Sequence, residues 1–300
     1  MRICLVGTVE GSAVAFDALC AAGHTPALVV TLPPEAAARH SDFVDLATPA
    51  RAMGIAVHNT SNINATETLD AIGSSAPELT LVIGWSQICR KPFRDIARIG
   101  SVGFHPAALP RMRGRAVIPW TILRNEAITG STLFWLDEGM DSGDILLQRL
   151  FPVEAEETAR SLYDKHTGNI RVMVPEAVSL LRAGIAPKRV QDGTAASYCA
   201  RRRPEDGLID WTQPASDILR LIRAAGDPYP GAYTHHAGEK IRIDEACAFA
   251  HSRRFIGLPG QVQARTADSF VVMCGDEKCI EVRRSHTLLE NAPSLHGKLG

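Results

Sequence analysis

A chain of 300 residues, 45% hydrophobic and 22% charged, is long enough for one large domain or for one medium and one small, and two domains is the better fit. Its 32 lysines and arginines stand against 33 acidic residues, so no overall field gathers nucleic acid or an anionic membrane by charge alone. No apolar run reaches the length that spans a bilayer, and "MRICLVG" opens as a buried strand with no signal-peptide cleavage region behind it, which points to a cytoplasmic protein without a membrane partner.

Taken in chain order, the first half alternates strand-like and helix-like segments. "RICLVG" is a short apolar strand, "AVAFDALCAAG" an amphipathic helix ending on Gly23, and "PALVVTL" a second apolar strand. "DFVDLATPARAMG" has helical period and "LTLVIG" is a third strong strand. Short apolar strands separated by helices mean an α/β domain, doubly wound, with a mostly parallel sheet and helices on both faces. The turn "GTVEG" after the first strand lacks the G-x-G-x-x-G of a dinucleotide fold and reads as a sharp strand-to-helix turn or as a substrate-lining loop.

Beyond "GFHPAALP" the texture changes to two strand-like runs, "GSTLFWL" and "DILLQRLFPV", joined by the polar loop "DEGMDSG". A long amphipathic stretch from Thr158 to Arg182 closes at Gly184, and "AGIAPKRVQDGTAAS" then has no periodicity. One helix candidate, "ASDILRLIRAAG", precedes strand-like runs at 231–249, 260–274 and 279–289, a pattern that suggests a small barrel or sandwich. The organisation read from this pass is a catalytic domain over 1–188, a linker over 189–203 and a β-rich, OB-like domain over 204–300.

The seven cysteines, odd in number and scattered in apolar surroundings, suit reduced thiols in a core. Cys274 and Cys279 have no second pair or histidine nearby, and His235 and His236 are neighbours on a strand and point to opposite faces, so no metal site is expected.

Two places could carry chemistry. His105 follows a strand ending and precedes Pro106 and the Leu109-Pro110 pair, so the chain is stiff on its downstream side and the imidazole can be held in one direction. Read alone it is a structural histidine or an acid, base or oxyanion donor. The loop 136–146 places four carboxylates between two strands; the spacing and terminal glutamate of an EF-hand are missing. Gly139 and Gly143 let its backbone approach a ligand, and Asp141 between them is the natural proton acceptor.

"GFHPAALPRMRGRAVIPW" followed by "TGSTLFWLDEGMDSGDILLQ" closely resembles the signature of the folate-dependent formyltransferases. The H-P-x-x-L-P-x-x-R-G core and the D-E-G-x-D-[ST]-G-D-I-L loop occur together, and "RRRPEDGLIDW" with "LIRAAGDPYPGAYT" resembles the family's C-terminal domain. The resemblance covers about residues 1 to 240. It implies transfer of a formyl group from N10-formyltetrahydrofolate to a primary amine, without a metal, through a histidine and an aspartate that match His105 and Asp141. An amine attacking a formyl carbon builds a negative oxygen and a positive nitrogen. His105 would serve the oxygen; Asp141 would take the proton, directly or through water, and help to hold His105 as imidazolium. The resemblance also implies that the pterin meets backbone groups near Trp85, Gln87, Gly139 and Met140, and that Arg113 supports the loop or contacts an anion.

The departure is Gly103, which stands where the family has asparagine, two residues before the histidine. Losing one oxyanion donor costs about two to three orders of magnitude in rate. Ser101, Ser86, Gln87 or an ordered water could replace it, and a compensated enzyme is the preferred reading. The alternative from another class is a folate- or sugar-nucleotide-binding protein without turnover. Near-neutral charge makes nucleic acid a poor partner, so the preferred acceptor is a small amine, above all a nucleotide-linked amino sugar of polysaccharide biosynthesis. Methionyl-tRNA formylation is the runner-up, and an amino acid or hydroxylated ornithine is also open. The C-terminal domain would complete the acceptor site or form a homodimer.

Overall fold

Runs of four buried aliphatic or small residues build the first sheet, in a computed structural model that describes residues 1–39, 42–287 and 293–300. The last two residues of the strand read over 279–289 lie outside the described residues. The chain forms two units: residues 1–117, 128–152 and 163–200 make the first, and residues 118–127, 153–162 and 201–300 the second.

The first unit takes β1 (Ile3–Val6), α1 (Glu10–Ala21), β2 (Leu28–Thr31), α2 (Ala47–Ala52), β3 (Ala56–Asn59), α3 (Thr66–Ser74), β4 (Leu79–Val82), α4 (Lys91–Arg94), β5 (Gly100–His105) and β6 (Arg113–Gly114). After α5 (Val117–Leu123) it resumes with β7 (Ile128–Trp135), β8 (Ile145–Pro152), most of α6 (Ala159–Arg182) and β9 (Tyr198–Cys199). Its main sheet runs β3-β2-β1-β4-β5-β7-β8. The first five of these strands pair in parallel, while β7 runs antiparallel to β5 and β8 antiparallel to β7. The order reverses between β1 and β4, the place where an open α/β sheet leaves a crevice at the carboxyl ends of its strands.

Local chemistry explains the elements. In the turn "GTVEG", the Ser12 hydroxyl accepts from the amides of Thr8 and Val9 and donates to the Ile83 carbonyl, tying the start of α1 to the end of β4. The helix read at 42–54 is confined to Ala47–Ala52, because the Asp45 carboxylate accepts from the amides of Ala47 and Thr48 and starts the helix there. β3 carries no strand signal in the sequence because it is an edge strand with exposed ends and no long apolar run. Ile3, Leu5, Leu79, Leu81 and Val102 fill the core beside Met173, Val174 and Val178 of α6, each such burial contributing about 1.5–3 kcal/mol. The stretch 189–203 is held in this unit as far as Ala200: Arg189 pairs with Ile145, and β9 pairs with β6.

The second unit holds α7 (Ala215–Ala225) and the strands β10 (Ala232–His236), β11 (Glu239–Ala248), β12 (Val262–Arg265), β13 (Phe270–Met273) and β14 (Cys279–Thr287). They form an antiparallel sheet in the order β10-β11-β14-β13-β12, and Ile218, Ile222 and Ala225 of α7 pack into its core. All seven cysteines are free thiols. Among the described residues, no helix is long and apolar enough to cross a membrane, and no three His, Cys, Asp or Glu side chains are grouped to hold a metal.

Candidate active site

Side chains alternate across a strand, so Ser101, Gly103 and His105 share one face of β5 while Val102 and Phe104 face the core side with α6. His105 ends the strand, 5% exposed. Its Nε2 lies 2.8 Å from the carbonyl oxygen of Met112, and its Nδ1 lies 3.6 Å from Oδ2 of Asp141. A carbonyl only accepts, so Nε2 carries a hydrogen and points it at Met112. The gap to Asp141 is longer than a hydrogen bond, which leaves Nδ1 the edge able to turn toward a reactant.

Asp141 is held by two donors. The Gly114 amide donates to its Oδ2 at 2.7 Å, and the Gln191 side-chain Nε2 donates to its backbone carbonyl at 2.9 Å and to that of Gly143 at 2.7 Å. Oδ1 has no hydrogen bond among the described residues. Gly143 is forced by close packing, because a Cβ there would lie 1.8 Å from the Trp135 carbonyl oxygen. Both groups that address His105 come from left-handed backbone: φ is 58° at Met112 and 52° at Asp141. That conformation costs a non-glycine residue about 1–2 kcal/mol, and such outliers gather where the surrounding structure needs a group aimed.

Arg113 is 5% exposed and lies behind this pair. Its Nε and Nη2 donate to Oε1 of Gln191 at 3.2 and 2.8 Å, and its Nη1 to the Tyr198 hydroxyl at 3.1 Å. Among the described residues, the arginine thus reaches the loop only through Gln191.

Gly103 is covered by apolar side chains. Phe134 is its direct cross-strand partner on β7, and a Cβ built on Gly103 would lie 3.1 Å from that ring and 2.8 Å from Cδ2 of Leu136. An aromatic ring laid over a glycine on the neighbouring strand fills the space a side chain would take. Ser101, 4% exposed, lies on the same face beyond Gly103, and its hydroxyl has no hydrogen-bond partner among the described residues.

The other expected residues fall at the rim. Trp85 follows β4, packs against Val82, Cys89 and Phe93, and leaves its buried Nε1 without a partner among the described residues. The Gln87 amide is turned to backbone, accepting from Ile63 and donating to Ser61. The Ser86 carbonyl accepts from Arg115. At the loop tip, Gly139 donates to Asp137, which also holds the Ser142 hydroxyl, and Met140 is half exposed.

The structure thus brings together His105, Asp141 and Arg113, and keeps the Ser101 hydroxyl and the Gln87 amide out of that group. The pair can stabilise a developing negative oxygen from the histidine side and accept a proton at the free Oδ1. Sequence reading missed the Met112 carbonyl, the Gly114 amide and Gln191. The first two are backbone groups with no side-chain signature, and Gln191 sits in a stretch without periodicity.

The formyl transferase family model matches residues 2–178, and the model of the family's C-terminal domain matches residues 202–289. A methionyl-tRNA formyltransferase of Moorella thermoacetica is 32% identical over 277 residues, covering 92% of this chain and 88% of its own length. Among solved structures, the sugar 3N-formyltransferase WlaRD, crystallised with dTDP and 5-N-formyl-THF, superposes with a TM-score of 0.69 at 20% identity, covering 97% of this chain and 99% of that one. An N-formyltransferase of Helicobacter canadensis, bound to folinic acid and dTDP-3-aminofucose, gives a TM-score of 0.67 at 17% identity over 94% and 99%. At such identities the structural likeness shows the fold alone. The family models and the full-length relative above 30% identity decide the assignment: the chain belongs to the formyl transferase family, with both of its domains, and is a one-carbon group transferase.

Proposed function

We propose that the protein moves the formyl group of N10-formyltetrahydrofolate to the primary amine of a small acceptor, a nucleotide-linked amino sugar. The observation that carries the chemistry is the His105–Asp141 pair at the carboxyl end of β5, with Nδ1 and Oδ2 3.6 Å apart and the Gly114 amide fixing the carboxylate. The folate supplies an activated formyl carbon on a nitrogen leaving group. Asp141 Oδ1 takes the proton of the attacking amine, and His105, its Nε2 anchored on Met112, turns Nδ1 to the formyl oxygen as negative charge grows there. As the adduct collapses the C–N10 bond breaks and Asp141 returns the proton to N10, releasing tetrahydrofolate and leaving the formamide on the acceptor. The backbone of Trp85, Gln87, Gly139 and Met140 offers the polar edge that a pteridine needs.

The sugar acceptor is supported by charge. Residues 201–300 carry 14 lysines and arginines against 13 acidic residues, which gives no field for a polyanion. Solved proteins that share the fold nearly end to end include a sugar 3N-formyltransferase seen with dTDP and an N-formyltransferase in complex with dTDP-3-aminofucose. The second reading, formylation of methionyl-tRNA, is favoured by the curated relative at 32% identity. Incubation with N10-formyltetrahydrofolate and, in turn, dTDP-linked amino sugars and charged initiator tRNA separates them by tetrahydrofolate release. Turnover with the tRNA alone overturns the sugar reading; folate binding with no release for any amine overturns the enzyme reading.

A further inference from the structure

The strongest unassigned feature is a side-chain amide with no spare capacity beneath the Asp141 loop. Gln191 is 9% exposed, and all four of its hydrogen-bonding positions are in use. Oε1 accepts twice from the Arg113 guanidinium, at 3.2 and 2.8 Å, and Nε2 donates to the carbonyls of Asp141 and Gly143, at 2.9 and 2.7 Å. The orientation of the amide is dictated by its partners. Turned over, it would set an acceptor against two carbonyls and a donor against a guanidinium.

These four bonds join two segments that each supply part of the site. Arg113 directly precedes Gly114, whose amide holds the Asp141 carboxylate at 2.7 Å. Asp141 and Gly143 are the loop itself. The result is a closed circuit: Gln191 to the loop carbonyl, the Asp141 carboxylate to Gly114, and Arg113 back to Gln191. Around it the β6 strand is pinned again by β9, where Arg113 pairs with Tyr198 and Gly114 with Cys199. Asp141 keeps its φ of 52° inside this circuit, a conformation that aspartate leaves readily when nothing holds it.

We infer that Gln191 is a positioning residue for the formyl transfer: its amide latches the left-handed Asp141 in register with Gly114 and His105. The inference rests on the reading that Asp141 pairs with His105 as proton acceptor. Glutamine suits the task because it alone offers two acceptors for a guanidinium and two donors for carbonyls on one planar group of this length. Leucine matches its bulk and makes none of the four bonds. It would also leave Arg113 buried with the Tyr198 hydroxyl as its remaining side-chain partner.

The test compares wild type, Gln191→Leu and Asp141→Asn in the full chain, following the two ring-nitrogen signals of His105 by long-range proton–nitrogen NMR at one pH. Asp141→Asn moves the Nδ1 signal, which faces the carboxylate, and leaves the Nε2 signal on Met112. The latch predicts that Gln191→Leu moves Nδ1 in the same direction and by a comparable amount. It further predicts that kcat for tetrahydrofolate release with a dTDP-linked amino sugar falls about 10²-fold, as a displacement of about 1 Å in a reacting group does, with KM for the folate little changed. A Gln191→Leu protein with wild-type Nδ1 signal and wild-type kcat overturns the latch. An Asp141→Asn protein with an unmoved Nδ1 signal overturns the His105–Asp141 pairing instead, so the two failures are distinct. If Gln191→Leu does not fold, Gln191→Met, flexible and without hydrogen bonds, is measured in the same way and decides on the same signals.

Discussion

On one face of β5, His105 is 5% exposed and has an acceptor opposite each ring nitrogen. On the other face His166 of α6 is 2% exposed, with its ring edge-on to Phe104 and Phe151. His166 shares Nδ1 with the Ser131 hydroxyl at 2.9 Å, and its Nε2 has no partner among the described residues. Burial, reinforced by the nearby charge of His105, holds its pKa down to about 3. Two histidines of nearly equal burial are thus given opposite surroundings. Acceptors opposite both nitrogens suit a ring that donates hydrogen bonds, whereas an apolar wall and a hydroxyl keep a ring neutral. The same contrast divides the site face itself. At its His105 end every polar group is paired or aimed; over Gly103, one residue pair earlier, Phe134 and Leu136 make it apolar.

The sharpest way to break this comparison is at the reactive end. Asp141→Asn should lower kcat by about 10²- to 10⁴-fold, the usual contribution of a positioned acid or base, in a tetrahydrofolate-release assay. A drop of less than tenfold would place the proton acceptor elsewhere. At the apolar end, Gly103→Asn restores the family residue but has to push aside Leu136 and the Phe134 ring. It should lose about 1–3 kcal/mol in urea unfolding, as overpacked cores do, and gain no activity. A variant of wild-type stability with a higher kcat would show that the glycine is a simple loss.

On the core face the handle is pH. His166 has a folded pKa below its unfolded value, so the unfolded chain binds the extra proton. Its stabilising contribution is fully present above about 6.5 and is lost progressively as pH falls toward about 3. Between pH 7 and pH 5 this amounts to about 2 kcal/mol, and His166→Gln should flatten the pH dependence of stability by that much. An unchanged slope would mean that the ring is charged in the fold. The smallest effect is expected for Ser101→Ala. The hydroxyl is buried and unpartnered, so its removal should change stability by about 1 kcal/mol or less and leave kcat near wild type. A large fall in kcat would make Ser101 the substitute for the missing asparagine.

Much of the fold was legible because its signals are local. β1, β2 and β4 are short runs dominated by aliphatic residues, and the amphipathic period over 158–182 matches the observed α6, Ala159–Arg182. His105 and Asp141 were legible for a different reason: each stands in a short motif whose prolines and glycines restrict the backbone around it. What is not legible in the sequence is carried by backbone groups or by distance along the chain. The Met112 carbonyl and Gly114 amide act through the backbone, and Gln191 comes from a stretch 50 residues beyond Asp141.

The sequence by itself determined the residue types and the order of the elements: a parallel α/β domain, a β-rich second domain, a histidine braced by prolines and an aspartate between glycines. Periodicity and motif spacing are properties of neighbouring residues, and neighbours are what a sequence displays. Tertiary structure decided the rest. It put Phe134 and Leu136 over Gly103, buried the Ser101 hydroxyl without a partner among the described residues, turned His166 into a neutral core residue and brought Gln191 under the loop. Each of these depends on a contact between segments remote in the chain, made when strand register and packing close the space around them, and no window along the sequence contains it.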